Sequence, residues 1–294
     1  MEYLKLLRPK DWAKNLFLFL PLFFGRRFNE VDALLRVALG FVAFCFVASS
    51  IYIINDYRDR EDDRKHPVKC RRPLASGAVS PRSALLICAI LILAGFAISL
   101  GIREKFAVVL GIYFLINLGY SLGLKAVPIL DLMLLAAGFV LRIKGGSVIS
   151  LVPLSEWIVI MVFLLAIFMA IGKRRDDVLL KLTTGADMRK SIKGYNLDLL
   201  NILLALVSAI IIVAYLMYCM DPATITNMGT YRLYYTGVFV MAGIMRYLQI
   251  IYVSADAGSP TKILYKDRFI QFTLLLWIAS FIVILYLKNE HLFK

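Results

Sequence analysis

Nine mostly apolar stretches, with approximate cores at 12–24, 33–54, 83–101, 105–122, 127–143, 155–172, 199–220, 232–253 and 269–287, dominate this chain. A run of about 20 apolar residues is what a helix needs to cross a bilayer core. Inside lipid the backbone must satisfy its own polar groups, so runs of this kind fold as helices. With 61% hydrophobic and 18% charged residues over 294 positions and a mean hydropathy of +0.77, the chain is too apolar for an ordinary soluble domain. The expectation is an all-α, polytopic membrane protein with about nine transmembrane helices, residues 1–294 forming one integral membrane domain. The first stretch is crowded by Trp12, Lys14 and Pro21, and the fifth is short. Lys5, Arg8 and Lys10 precede bulky apolar residues without a small-residue cleavage site, so the N-terminal segment is expected to be retained.

Lys and Arg set orientation because they are held on the cytoplasmic side. With the N-terminus inside, 23 of the 34 bases fall on that side, 10 fall on the other and Arg246 lies within a span. The distribution predicts an inner-membrane, multi-pass protein whose net charge of +14 belongs mainly to its cytoplasmic face. Anionic membrane lipids are the partners this charge suggests, and no nucleic-acid partner is expected. A homo-oligomer is compatible with the sequence, although no segment specifies one.

Acids contribute little to orientation, yet "NDYRDREDDRKHPVKCRRPLASG" at 55–77 is rich in them. Asn55, Asp56, Asp59 and Asp63 follow N-D-x-x-D-x-x-x-D, and on a helix these offsets place the three aspartates on one face. Such a stack calls for a cation, and Mg²⁺, a hard oxygen-seeking ion that keeps positions for substrate phosphates, suits it. Arg58, Arg60, Arg64 and Lys65 alternate with the acids, so a solvated helix end laced with ion pairs accounts for the spacing equally well. Lys69, Arg71 and Arg72 follow before the turn residues Pro73 and Gly77. Acids beside such a basic cluster suit a polyphosphate.

Two further loops on the same side add candidates. "GYSLGLKAVPILDL" offers Tyr120, Ser121, Lys125 and Asp131. Lys125 fits a phosphate ligand or an interfacial anchor, and Asp131 a second metal ligand or an acid favoured early in a helix. In "GKRRDDVLLKLTTGADMRKSIKGY", Lys173, Arg174 and Arg175 close the sixth span ahead of Asp176 and Asp177. A basic stop followed by an interfacial amphipathic helix is the plainer reading of that loop.

The N-D-x-x-D-x-x-x-D at Asn55 to Asp63, the Y-x-x-x-x-K at Tyr120 to Lys125, the "LRPKDWAKN" start and the nine-span layout resemble the UbiA superfamily of intramembrane prenyltransferases. "DREDDRKHPVKCRRPLASG", "YSLGLK", "FVLRIKGG", "GKRRDD", "RKSIKGY" and "KDRFIQ" are similar to its decaprenyl-phosphate phosphoribosyltransferase branch. An aromatic prenyltransferase would carry a second D-x-x-x-D after the sixth span, where this chain has only Asp176 and Asp177.

The resemblance implies that phosphoribosyl pyrophosphate donates its 5-phosphoribosyl group to a polyprenyl monophosphate, releasing pyrophosphate. It implies that Asn55, Asp56, Asp59 and Asp63 hold Mg²⁺ on the leaving group. Asp56, Asp59 and Asp63 then serve catalysis directly, and Lys69, Arg72, Tyr120, Lys125, Lys173 and Arg174 bind substrate phosphates, with the active site facing the cytoplasm. Two other functions stay open: prenyl transfer from a polyprenyl diphosphate to an aromatic acceptor, and non-catalytic transport. Transport would place ionisable or helix-breaking residues near mid-span, whereas these charges gather on one face. Arg142 and Arg246 are expected to be structural; Asp267 and Arg268 match the branch's pattern ahead of the ninth span, and an interfacial ion pair accounts for them equally well. Cys45, Cys70, Cys88 and Cys219 form no C-x-x-C, so neither disulfide nor zinc is expected, and His66 and His291 give little support to a histidine metal site.

Overall fold

The computed structural model describes residues 2–25, 27–65, 69–184, 194–253, 263 and 266–286, with residues 285 and 286 described by backbone alone. His66, His291 and the "RKSIK" part of the third loop lie outside the described residues. Helices form every regular element among them, and the chain divides into two compact units, 1–154 and 155–294.

In the first unit α1 (Glu2–Leu7), a 3-10 segment (Pro9–Phe19) and α2 (Leu20–Phe24) precede four long helices. These are α3 (Val31–Lys65), α4 (Pro81–Ile102), α5 (Glu104–Leu122) and α6 (Leu130–Ser150). α3 is the hub, packing on α4, α5, α6 and the 3-10 segment. Phe44, Val47, Phe106, Leu110 and Ile149 form its core with Leu18 and Leu22. On α4 the exposed Leu86, Leu93 and Leu100 recur every seven residues, which lines them up as a lipid-facing stripe. Ser80 caps α4 by accepting the Ser83 amide at 3.1 Å, with Pro81 at the first helical position.

At 35 residues, α3 is about 52 Å long. A bilayer core is only about 30 Å thick. The surplus lets its acidic C-terminal turns emerge from the apolar layer without breaking the helix, so the i, i+3, i+7 face survives intact.

The first expected span takes a different form from an α-helix. Pro9–Phe19 winds as a 3-10 helix and only Leu20–Phe24 is α-helical. It runs antiparallel to α3: Arg8 meets Asp56, Trp12 Nε1 donates to Ser49 Oγ at 3.0 Å, Asn15 Nδ2 to Cys45 Sγ at 3.2 Å, and the Phe19 ring faces Phe41. From 8 to 19 the segment thus keeps pace with 56 to 41 on α3. Eleven steps of about 2.0 Å cover about 22 Å, the same as fifteen α-helical steps of about 1.5 Å. Packing permits this because Gly146 on α6 leaves room: a Cβ there would stand 2.0 Å from the Leu18 carbonyl oxygen.

The second unit holds α7 (Glu156–Thr184), α8 (Leu197–Met220), α9 (Pro222–Met228), a 3-10 turn (Arg232–Thr236), α10 (Gly237–Val253) and α11 (Arg268–Tyr286). α7 packs on α8, and α10 on both α8 and α11. One interior polar cluster is paired: Trp277 Nε1 donates to Tyr215 OH at 2.8 Å, and Tyr215 OH meets Thr236 Oγ1 at 2.6 Å. Arg246, the base expected within a span, pairs with Asp267 at 2.8 Å. Asp267 thus answers α10 and, accepting the Ile270 amide, caps α11, rather than serving only as a neighbour of Arg268.

Among the described residues seven helices are long and apolar enough to cross a membrane, and a shorter apolar helix, Arg268–Ile284, coincides with the last expected span. The chain is an all-α integral membrane protein.

Candidate active site

Unit 1 gathers most of the expected residues at the projecting end of α3. Asp56 and Asp63, both 3% exposed, stand two helical turns apart, and Arg72 bridges them. Its Nη1 lies 3.0 Å from Asp56 Oδ1 and 2.6 Å from Asp63 Oδ2. Arg8 grips both oxygens of Asp56 at 2.5 and 2.7 Å. Lys125, from the 3-10 turn Leu124–Ala126, donates to Asn55 Oδ1 at 3.0 Å and to Asp59 at 2.7 and 3.0 Å. The shared face read from the spacing is therefore real, and each acid on it meets a base brought from elsewhere in the chain.

Local folding explains how those bases arrive. After α3 the loop turns through a 3-10 turn at Lys69–Arg71, where the Arg72 amide donates to the Lys69 carbonyl at 3.0 Å. The Ser76 amide returns to Arg72 and the Val79 amide to Pro73. Gly77, at φ +79°, closes the turn in the region that favours glycine. Leu74 and Val79 bury themselves against Ile53, Leu6 and Cys88, so apolar packing holds Arg72 over the acids. Arg64 donates to the Ala75 carbonyl, and Arg58 to that of Ser121, tying α3 to the loop and to α5.

Lys69 is partly buried in its turn, and Tyr120 is partly buried near the end of α5. Asp131 is wholly buried at the start of α6. In unit 2, α7 carries Lys173, exposed, and Arg174, 1% exposed, with Arg174 Nη1 3.3 Å from Asp177.

The residue that spacing did not single out is Arg8. It sits between α1 and the 3-10 segment in the left-handed region, at φ 52°, a conformation uncommon for a branched-chain-free but bulky side chain. Pro9 follows it and disfavours the right-handed helical region. Its guanidinium also lies over the Tyr52 ring, 5.0 Å from the centroid. The available signal was an Arg-Pro directly ahead of the first apolar run.

The acids offer oxygen donors only, on one face, which is the chemistry a hard divalent ion requires. Among the described residues no three acidic, Cys or His groups converge as a ready metal cluster. Instead two guanidinium groups, of Arg8 and Arg72, and the Lys125 ammonium lie among the carboxylates and occupy the positive positions. The donor set fits a magnesium ion provided those bases yield to it.

Residues 18–277 match the UbiA prenyltransferase family model, and the chain belongs to that family. It is 33% identical to the decaprenyl-phosphate phosphoribosyltransferase of Mycolicibacterium smegmatis over 94% of this chain and 90% of that protein. The enzyme of the same name from Corynebacterium glutamicum is 34% identical, covering 97% of this chain and 86% of that one. Within the family the chain falls in this phosphoribosyltransferase branch. The fold is also similar to the UbiA homolog from Archaeoglobus fulgidus bound to DMAPP and Mg²⁺, with a TM-score of 0.74 at 24% identity over 97% of this chain and 99% of that one.

Proposed function

We propose that the chain transfers a 5-phosphoribosyl group from phosphoribosyl pyrophosphate to a polyprenyl monophosphate of the decaprenyl type, releasing pyrophosphate. The observation that carries this reading is the acidic face of α3 set among Arg72, Lys125 and Arg8, in a chain similar over nearly its whole length to enzymes named for that reaction. The whole chain acting as one transferase is part of the proposal.

Asn55, Asp56, Asp59 and Asp63 would hold Mg²⁺, which supplies charge neutralisation for the departing pyrophosphate. Arg72, Lys69, Tyr120 and Lys125 bind and orient phosphate oxygens, Arg72 with its planar fork and Lys125 with a point charge. In unit 2, Lys173 and Arg174 are the phosphate ligands. The ribose C1–O bond to pyrophosphate breaks with its electron pair on the leaving group, and a lipid phosphate oxygen forms the new C1–O bond. That oxygen is already anionic, so no strong base is required. Positioning and preorganised charge provide the acceleration. The lipid tail belongs in the apolar layer, and the charge distribution supports a site on the cytoplasmic face.

The test uses detergent-purified protein with ribose-labelled phosphoribosyl pyrophosphate, Mg²⁺ and a polyprenyl monophosphate. Label enters the organic extract only when both Mg²⁺ and the lipid are present, and Asp59→Asn lowers its rate by about 100-fold or more. No transfer, together with turnover of a polyprenyl diphosphate and an aromatic acceptor, would overturn the reading.

A further inference from the structure

Two buried hydrogen-bond donors in unit 2 have no acceptor among the described residues: Arg175 Nη1 and Tyr247 OH. Arg175 is 8% exposed and Tyr247 6%. A third such atom, Tyr218 OH, belongs to the opposite end of α8 from the groups that hold Arg175. Arg175 is fixed on its other side. Its Nε donates to Asn201 Oδ1 at 2.8 Å, and its guanidinium lies over the Tyr252 ring at 5.3 Å, while Tyr252 OH donates to the Asn201 carbonyl at 3.0 Å. The Tyr247 ring packs on Phe168 at 4.8 Å, two turns before Arg175 on the same face of α7.

Buried donors are nearly always partnered, and an unpartnered charged one is costly. Here the guanidinium is held by Asn201 and Tyr252 with Nη1 unanswered among the described residues, and the hydroxyl of the tyrosine packed on the same face of α7 is in the same condition. A group that answers both must accept hydrogen bonds and tolerate a cation, which describes a phosphate oxygen. We propose that Arg175 and Tyr247 form an oxyanion subsite for a phosphate group of one of the two substrates. This rests on the phosphoribosyl reading above and adds to it two residues not counted among the phosphate ligands.

The experiment is calorimetric titration of the full-length, detergent-purified protein with ribose 5-phosphate, pyrophosphate and farnesyl phosphate in turn. Wild type, Tyr247→Phe and Arg175→Gln are compared, with melting curves for each. Tyr247→Phe is expected to bind one ligand about 5-fold more weakly and Arg175→Gln about 30-fold more weakly. The Tyr247→Phe melting temperature stays at or above the wild-type value, because the lost hydroxyl has no partner among the described residues and its burial is costly. Weakening confined to ribose 5-phosphate or pyrophosphate assigns the subsite to the donor, and weakening confined to farnesyl phosphate assigns it to the lipid. Should Arg175→Gln fail to fold, Tyr247→Phe alone decides. Variants that bind all three ligands as wild type does would mean the two donors serve water only, and would overturn this inference while leaving the function above intact. A wild type that binds none of the three overturns this inference, and the label-transfer assay decides the function separately.

Discussion

Arg72 and Lys125 each hold two groups of the acidic face, and they are also the bases proposed to take substrate phosphate. A metal on the acids and a phosphate on the bases are therefore linked: either ligand releases partners for the other, and the coupling is reciprocal. Manganese, followed by its paramagnetic resonance signal and corrected for manganese pyrophosphate formed in solution, is expected to bind about tenfold more tightly when pyrophosphate is present. Lys125→Gln, which removes one competitor, tightens manganese binding alone and shrinks that coupling. Equal affinity with and without pyrophosphate in the wild type would refute the linkage. The common face of Asp56, Asp59 and Asp63 was legible in the sequence because helical periodicity is local. The partners of those acids were not, since Arg8 and Lys125 reach them across 48 and 66 residues.

Among the elements, the 3-10 segment depends on a single close approach. Gly146 has no room for a side chain against the Leu18 backbone, whereas Gly101 near the end of α4 has open space around it. Gly146→Ala is expected to destabilise the protein by at least about 2 kcal/mol, while Gly101→Ala is neutral or stabilising by up to about 1 kcal/mol. Both are read from thermal melting in detergent. Comparable melting temperatures for the two variants would show that the segment is not seated as described. An apolar run at 12–24 was visible from composition, but its winding was not. The choice between three and four residues per hydrogen-bonded turn follows from what α3 and α6 present to it, including a glycine more than 120 residues away. The pairing of Arg246 with Asp267 was hidden for a similar reason, because the two approach only when α10 packs on α11.

At the scale of the whole molecule, the orientation proposed from the distribution of bases is open to a direct probe. Cys70 lies partly exposed in the loop beside the acidic face, and Cys45, Cys88 and Cys219 are buried. A membrane-impermeant maleimide is expected to leave intact cells unlabelled and to modify Cys70 in inside-out vesicles, with Cys70→Ser as the control. Labelling of intact cells would reverse the topology. The segment that opens the chain is anchored at both ends of unit 1: Arg8 to Asp56 at one end, and Arg27 to the Ser150 carbonyl at 2.7 Å at the other. It works as a gauge of fixed length. Rewound as an α-helix, its 11 residues would come up about 5.5 Å short. Arg8 and Arg27 would then be unable to keep both anchors, so the tight winding of this stretch decides whether a guanidinium reaches the acidic face at all.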